Sequence, residues 1–180
     1  EHIHLSFRNG EVRSPEFLKM NPMGKVPVLE YDGKFLFESG AICSFVAQKE
    51  RSNVDLIGDE GSWFRAEVNK WLYFTMSELE QPLWNIRKHT QIYPSEIRCE
   101  KIIESANIDF LRAINTLKSL LSDEFLVRNK FSLADIFVAQ TLFWAKQVDE
   151  LEADIDEFKD YLNRLKERSK FPSIKEYLPN

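Results

Sequence analysis

Glu38 and Ser39 have the residue types and the position that suit binding of a charged ligand. They lie between a short apolar run that ends at Phe37 and a helical pattern that follows. The N-terminus of a helix offers free N–H groups and a partial positive charge, both of which favour a bound carboxylate. Ser39 is equally suited to be an ordinary helix N-cap. The pair therefore predicts either an anion site or a helix cap.

Cys43 lies one turn further along the same predicted helix, where a helix N-terminus can lower the pKa of a thiol. Its apolar neighbours favour a packed core thiol instead, so we assign Cys43 no catalytic role; they are Ile42, Phe45 and Val46. Cys99 is the second of two cysteines, and the pair lacks CxxC spacing. Reduced structural thiols are expected.

His2 and His4 share one face of a predicted strand. Two histidines could begin a metal site, but no further ligands stand near them in the sequence. A solvated strand face is the favoured interpretation, and no metal is predicted.

The first fifty residues predict a mixed α/β arrangement from their hydrophobic periodicity and turn residues. Asp32-Gly33 between apolar runs is a strong hairpin signal, and Ser14 followed by Pro15 is typical of a helix start. The predicted elements are a strand over His2–Phe7, a helix ending at Met20, strands over Val28–Tyr31 and Lys34–Phe37, and a helix from Glu38–Gly40 to about Lys49.

Residues 50–61 are polar, hold two glycines and show no sustained period, so they are predicted to be a linker. Every element after the linker reads as helical. We predict a long amphipathic helix from Phe64 that is kinked at Pro82, a second over Ile103–Leu121, an apolar central one over Leu133–Val148, a surface helix over Ile155–Leu165 and a short last one from Pro172. The predicted domains are residues 1–49 and 62–180.

A capping box starts the predicted central helix. Ser132 would cap the helix, Asp135 would reach back to it, and Phe131 would pack on Ile136 as a hydrophobic staple. The predicted role is stability, and loss of Asp135 should cost on the order of 1 kcal/mol or more.

Composition indicates an ordinary globular protein of 180 residues, with 43% apolar and 29% charged residues. No run approaches the roughly 18 apolar residues of a membrane span, and the first residues do not resemble a signal peptide. The net charge of −5 is spread over mixed signs and leaves no basic stripe for nucleic acid. We expect a soluble, cytoplasmic protein with neither nucleic acid nor membrane as a partner.

Three stretches together resemble the glutathione transferase superfamily of cytosolic type, and the match spans almost the whole chain. They are residues 15–29 (PEFLKMNPMGKVPVL), 36–42 (LFESGAI) and 131–136 (FSLADI). The resemblance implies a thioredoxin-like N-terminal domain followed by an all-α helical bundle.

The resemblance also implies a glutathione site. Val26-Pro27 is similar to the cis-proline pair of the family, which presents the backbone of the preceding residue to the cysteinyl part of glutathione. By the same resemblance, Ser39 binds the γ-glutamyl carboxylate and Glu38 faces the α-amino group. Lys25 could reach the glycyl carboxylate, although a solvated lysine is at least as good an interpretation.

The first strand and crossover helix of the thioredoxin-like half have no counterpart in this sequence, which begins with what resembles the second strand. We therefore expect that a preceding N-terminal segment belongs to the native protein. The family carries its catalytic Tyr, Ser or Cys there, so no catalytic residue is assigned.

The resemblance implies a glutathione transferase that joins glutathione to a small electrophile, as in detoxification, and that forms a homodimer. Two alternatives stay open. The chain is also similar to the N-terminal domain of elongation factor complex gamma subunits, which would make it a non-catalytic interaction module. A glutathione-dependent thiol reductase or isomerase would need a cysteine in the expected N-terminal segment.

Overall fold

In a computed structural model of the chain, residues 1–6, 9–51 and 55–168 are described. The chain divides into two compact units with the boundary between Asp55 and Leu56. The first unit is mixed α/β, and the second is built of helices.

The first unit contains the predicted short helix, hairpin and longer helix. A 3-10 turn over Glu11–Arg13 leads into α1 (Pro15–Met20), and α2 spans Ser39–Lys49. The Ser14 side chain accepts a hydrogen bond from the backbone N–H of Phe17 at 3.2 Å, and Pro15 occupies the first helical turn. The predicted N-cap of α1 is therefore confirmed.

The hairpin consists of antiparallel strands β1 (Val28–Tyr31) and β2 (Lys34–Phe37). Asp32 and Gly33 form its turn with φ values of 51° and 70°. A type I′ turn requires positive φ angles at both central residues, and its twist matches the right-handed twist of the two strands. Asp-Gly is therefore well suited to this turn. Both strands lie where the sequence predicted them.

The predicted strand over His2–Phe7 is wrong for the part that is described. Residues 1–6 have no regular secondary structure, and Phe7 lies outside the described residues. Ser6 instead closes a local turn, because its N–H donates to the Glu11 carboxylate and its carbonyl accepts from the Glu11 N–H at 3.2 Å. Alternating hydrophobicity indicates one buried face, but a strand also needs a neighbouring strand, and within the described ranges no strand is paired with residues 1–6.

The second unit opens with one long helical run. It comprises α3 (Trp63–Phe74), a π-helical segment (Thr75–Glu80), α4 (Gln81–Arg87) and a second π-helical segment (Lys88–Ile92). The first π-helical segment ends two residues before Pro82, which cannot donate a backbone hydrogen bond. The helix geometry changes where the sequence predicted an irregularity.

Besides two 3-10 helices at Ser95–Ile97 and Asp156–Phe158, the described part of this unit contains three further α-helices. They are α5 (Glu100–Leu120), α6 (Leu133–Ala145) and α7 (Lys159–Lys166). Helix α6 buries residues on several faces, as its apolar composition predicted; they include Leu133, Ala134, Val138, Ala139 and Leu142. Ile136 is an exception with 40% of its surface exposed. The short helix predicted from Pro172 lies outside the described residues.

A small sheet with flanking helices, followed by an all-helical unit, confirms the predicted fold class. Within the described ranges, no helix is long and apolar enough to cross a membrane.

Candidate functional site

The register of the hairpin brings the predicted site residues to one end of the sheet. Val28 is paired with Phe37, the first residue of β1 with the last of β2. Paired residues on antiparallel strands have Cα atoms roughly 4.5 to 5.5 Å apart. Val26-Pro27 directly precede this pair and Glu38-Ser39 directly follow it. The two stretches that the sequence singled out therefore flank the open end of the hairpin, opposite the Asp32-Gly33 turn.

Glu38 links the end of β2 to the start of α2 in an uncommon backbone conformation. Its φ is 71° and its ψ is 114°, which lies outside the left-handed helical region. Such a conformation costs on the order of 1 to 3 kcal/mol and is often found where function requires a fixed geometry. The Glu38 side chain is exposed and makes no capping hydrogen bond.

The N-terminus of α2 has unused hydrogen-bond donors. Ser39 is its first helical residue, and the first intrahelical bond runs from the Ile42 N–H to the Glu38 carbonyl at 3.0 Å. The N–H groups of Ser39, Gly40 and Ala41 have no partner among the described residues. Ser39 is thus not a helix cap, and its hydroxyl and N–H are available to an anion.

Val26 offers a second set of backbone groups. The Val26–Pro27 peptide bond is cis, and 43% of the surface of Val26 is exposed. Its N–H has no hydrogen-bond partner within the described part of the chain. Lys25 next to it is exposed and makes no ion pair with a described residue.

Asn21 organises the loop that leads to Val26. It is 3% exposed, and its side chain accepts a hydrogen bond from the Met23 N–H at 3.0 Å and donates one to the Lys25 carbonyl at 2.7 Å. The sequence predicts a helix that ends just before Asn21 and assigns Asn21 no role in the site. The sequence signal for this role was an Asn directly before a Pro. An Asn side chain often hydrogen-bonds to the backbone that follows it in a turn.

Cys43 is partly buried, and burial raises the pKa of its thiol. A raised pKa leaves less thiolate at neutral pH, which makes a thiol less reactive. We expect Cys43 to react with iodoacetamide more slowly at pH 7 than free cysteine does, and to speed up as the pH rises above 9. Mass spectrometry of a Cys99→Ser variant, in which Cys43 is the remaining thiol, measures this rate. A rate at pH 7 above that of free cysteine would contradict the core-thiol interpretation.

The arrangement can bind but carries no assigned reactive group. It presents N–H donors, a hydroxyl, a carboxylate and a lysine around a short backbone edge, a set that suits a zwitterionic peptide. No group of three or more potential metal-ligating side chains occurs among the residues that the structure describes.

Sequence profiles of two domains match this chain. The profile of the glutathione S-transferase N-terminal domain matches residues 1–48, and that of the C-terminal domain matches residues 100–178. The chain belongs to the glutathione transferase superfamily.

Two kinds of protein are similar in sequence to this chain. It is 38% identical over 125 residues to the probable elongation factor 1-gamma 2 of Arabidopsis thaliana, covering 69% of this chain and 29% of that protein. It is 31% identical over 144 residues to glutathione S-transferase F10 of the same plant, covering 76% of this chain and 65% of that protein. The chain thus spans under a third of one relative and just under two thirds of the other.

Solved structures share the fold. The glutathione transferase URE2P6 from Phanerochaete chrysosporium, crystallised in complex with oxidized glutathione, is 26% identical. It superposes with a TM-score of 0.81 over 94% of this chain and 80% of that chain.

Proposed function

We propose that this protein binds glutathione at the open end of the hairpin and transfers it to a small electrophile. The site consists of Lys25, Val26, Pro27, Glu38 and Ser39, within a glutathione-binding domain of residues 1–49. A linker of residues 50–61 and a helical domain of residues 62–180 follow. The proposal includes a homodimer and a cytoplasmic location.

The observation that carries the proposal is the hairpin register. It supports a shared site, because Val26 precedes and Ser39 follows the paired residues at one end of the sheet, and the N–H groups of both have no partner among the described residues. Glutathione has a peptide backbone between two carboxylates, so it can use both sets of groups at once. The structure of the relative with oxidized glutathione adds support from a protein of the same fold.

Four of the five site residues have a distinct task in this proposal. The Ser39 N–H and hydroxyl hold the γ-glutamyl carboxylate, and Glu38 accepts from the α-amino group. The Val26 backbone pairs with the cysteinyl unit, and Lys25 approaches the glycyl carboxylate. When bound, glutathione gives up its thiol proton to solvent, and its thiolate forms a carbon–sulfur bond to the electrophile, which releases a leaving group such as chloride or takes up a proton after addition. The contribution of these residues is to hold the peptide so that its sulfur has one fixed position.

A second candidate function is a non-catalytic module that joins other proteins. It is favoured by the 38% identity to an elongation factor 1-gamma protein, which exceeds the identity to the plant transferase. In that case the site would be kept as part of the fold, with binding but no turnover.

Calorimetric titration of the full-length native protein with glutathione tests the proposal. We expect saturable binding with one glutathione per chain. A second experiment mixes protein, glutathione and an aryl chloride whose glutathione conjugate absorbs in the near ultraviolet. We expect the conjugate to form much faster than it does without protein.

Together, the titration and the conjugation assay distinguish the two candidate functions. Binding without conjugation of any tested electrophile favours the non-catalytic module. Absence of saturable binding overturns the glutathione site itself.

A further inference from the structure

We infer that Asn21 is a positioning residue that orients the Val26 N–H toward the ligand. This inference rests on the proposed function, since it assigns to Asn21 a role in glutathione binding at the Val26 backbone. Asn21 itself is buried and has no direct role in contacting the ligand.

Asn21 uses its backbone and its side chain to hold one short loop. Its backbone N–H donates to the Phe17 carbonyl, which ends α1, and its own carbonyl accepts from the Gly24 N–H, both at 2.9 Å. Its side-chain oxygen accepts from the Met23 N–H at 3.0 Å, and its side-chain nitrogen donates to the Lys25 carbonyl at 2.7 Å. The loop is therefore fixed up to the residue before Val26.

The bond to the Lys25 carbonyl determines where the Val26 N–H points. The Lys25 carbonyl and the Val26 N–H belong to the same planar peptide group, which is trans. In a trans peptide the C=O and N–H bonds point in opposite directions. Because Asn21 holds the carbonyl toward the buried side of the loop, the Val26 N–H is held toward the opposite, exposed side.

Gly24 and Arg13 support the same loop from its other side. Gly24 has a φ of 63°, and a Cβ atom there would lie 2.9 Å from the Val12 carbonyl oxygen and 2.7 Å from the Arg13 guanidinium. Arg13 also donates to the Met23 carbonyl at 3.3 Å. The loop thus packs against the 3-10 turn closely enough to exclude a side chain at residue 24, which limits the positions that the Lys25–Val26 peptide can adopt.

The Asn21→Asp variant tests the inference. It keeps an acceptor for the Met23 N–H and nearly the same shape, but it replaces the donor to Lys25 with an oxygen that repels the carbonyl. We expect glutathione to bind this variant at least tenfold more weakly in calorimetric titration.

Ser14→Ala is the matched control, because it removes the hydrogen bond at the other end of α1 without touching the Lys25 peptide. We expect its melting temperature to fall while its glutathione affinity stays within twofold of the parent. An Asn21→Asp variant that binds glutathione like the parent would overturn the inference, whatever its melting temperature.

A measurement on the unmodified protein covers the case in which Asn21→Asp does not fold. We expect glutathione to shift the NMR resonances of both the Val26 amide and the Asn21 side-chain amide, with one common dissociation constant. A shift at Val26 without one at Asn21 overturns the positioning role alone. If the protein shows no saturable glutathione binding, the proposed function fails, and the positioning role fails with it.

Discussion

The Glu38→Ala, Ser39→Ala double variant is expected to bind glutathione about 100-fold more weakly than the parent, or worse. Each side chain would contribute a hydrogen bond to a charged group of the ligand, and such bonds contribute about 1.5 to 3 kcal/mol each. Two of them exceed the ~2.8 kcal/mol that corresponds to a 100-fold change in dissociation constant. Calorimetric titration at fixed ionic strength measures the difference.

The same double variant should keep its stability, which distinguishes a binding role from a structural one. Neither side chain caps α2 or bonds to another described residue. Alanine has the same Cβ atom as glutamate, so the unusual φ of Glu38 adds little new strain. We expect the free energy of unfolding to change by less than about 0.5 kcal/mol.

Lys34→Ala provides the matched control for this double variant. Lys34 is an exposed charged residue of the same hairpin, paired with Tyr31 beside the turn and so at the opposite end of the sheet. We expect it to leave glutathione affinity unchanged. Equal affinity in the double variant and the parent would show that the ligand does not use the start of α2.

The elements that the sequence predicted well are those with a local cause. The turn at Asp32-Gly33 fixes the hairpin, because its backbone angles and the alternation of the flanking strands are set within about ten residues. Ser14 and Pro15 fix the start of α1 in the same way. The predicted site residues Val26-Pro27 and Glu38-Ser39 directly flank the paired residues Val28 and Phe37, so the same local hairpin sets their common position.

The features that the sequence did not predict depend on several atoms meeting in space. The sequence around residues 2–6 does not indicate whether a neighbouring strand is present to pair with those residues. The two bonds from the Asn21 side chain depend on how the loop folds around it, and the φ of Glu38 depends on how β2 passes into α2. Tyr161 is a third case, since its hydroxyl bonds to Asp135 across 26 positions of sequence.

The structure indicates that replacing Asp135 lowers the free energy of unfolding by much more than the loss of a helix cap would. Its carboxylate is fully buried and accepts four hydrogen bonds. The donors are the Leu126 N–H at 3.0 Å, the Ser132 N–H at 2.9 Å, the Ser132 hydroxyl at 3.1 Å and the Tyr161 hydroxyl at 3.0 Å. Burial raises the pKa of Asp135, and these hydrogen bonds oppose that rise.

We therefore expect Asp135→Ala to lower the free energy of unfolding by about 3 to 5 kcal/mol. A buried donor without a partner costs about 1 to 3 kcal/mol, and this variant leaves several of them beside a small cavity. Urea denaturation followed by circular dichroism measures the change, and an unaltered slope with urea shows that the folded state is the same.

The Tyr161→Phe variant distinguishes the contribution of the wider hydrogen-bond network of Asp135 from that of its capping box. It removes one donor and leaves the Ser132 and Leu126 bonds to Asp135 in place, so its cost should be near 1 kcal/mol. If Asp135→Ala costs no more than Tyr161→Phe, the carboxylate acts as an ordinary cap. A threefold or larger difference means that Asp135 joins three segments of the helical unit, the turn at Leu126, the start of α6 and helix α7. The tertiary packing of that unit then depends on a single buried side chain.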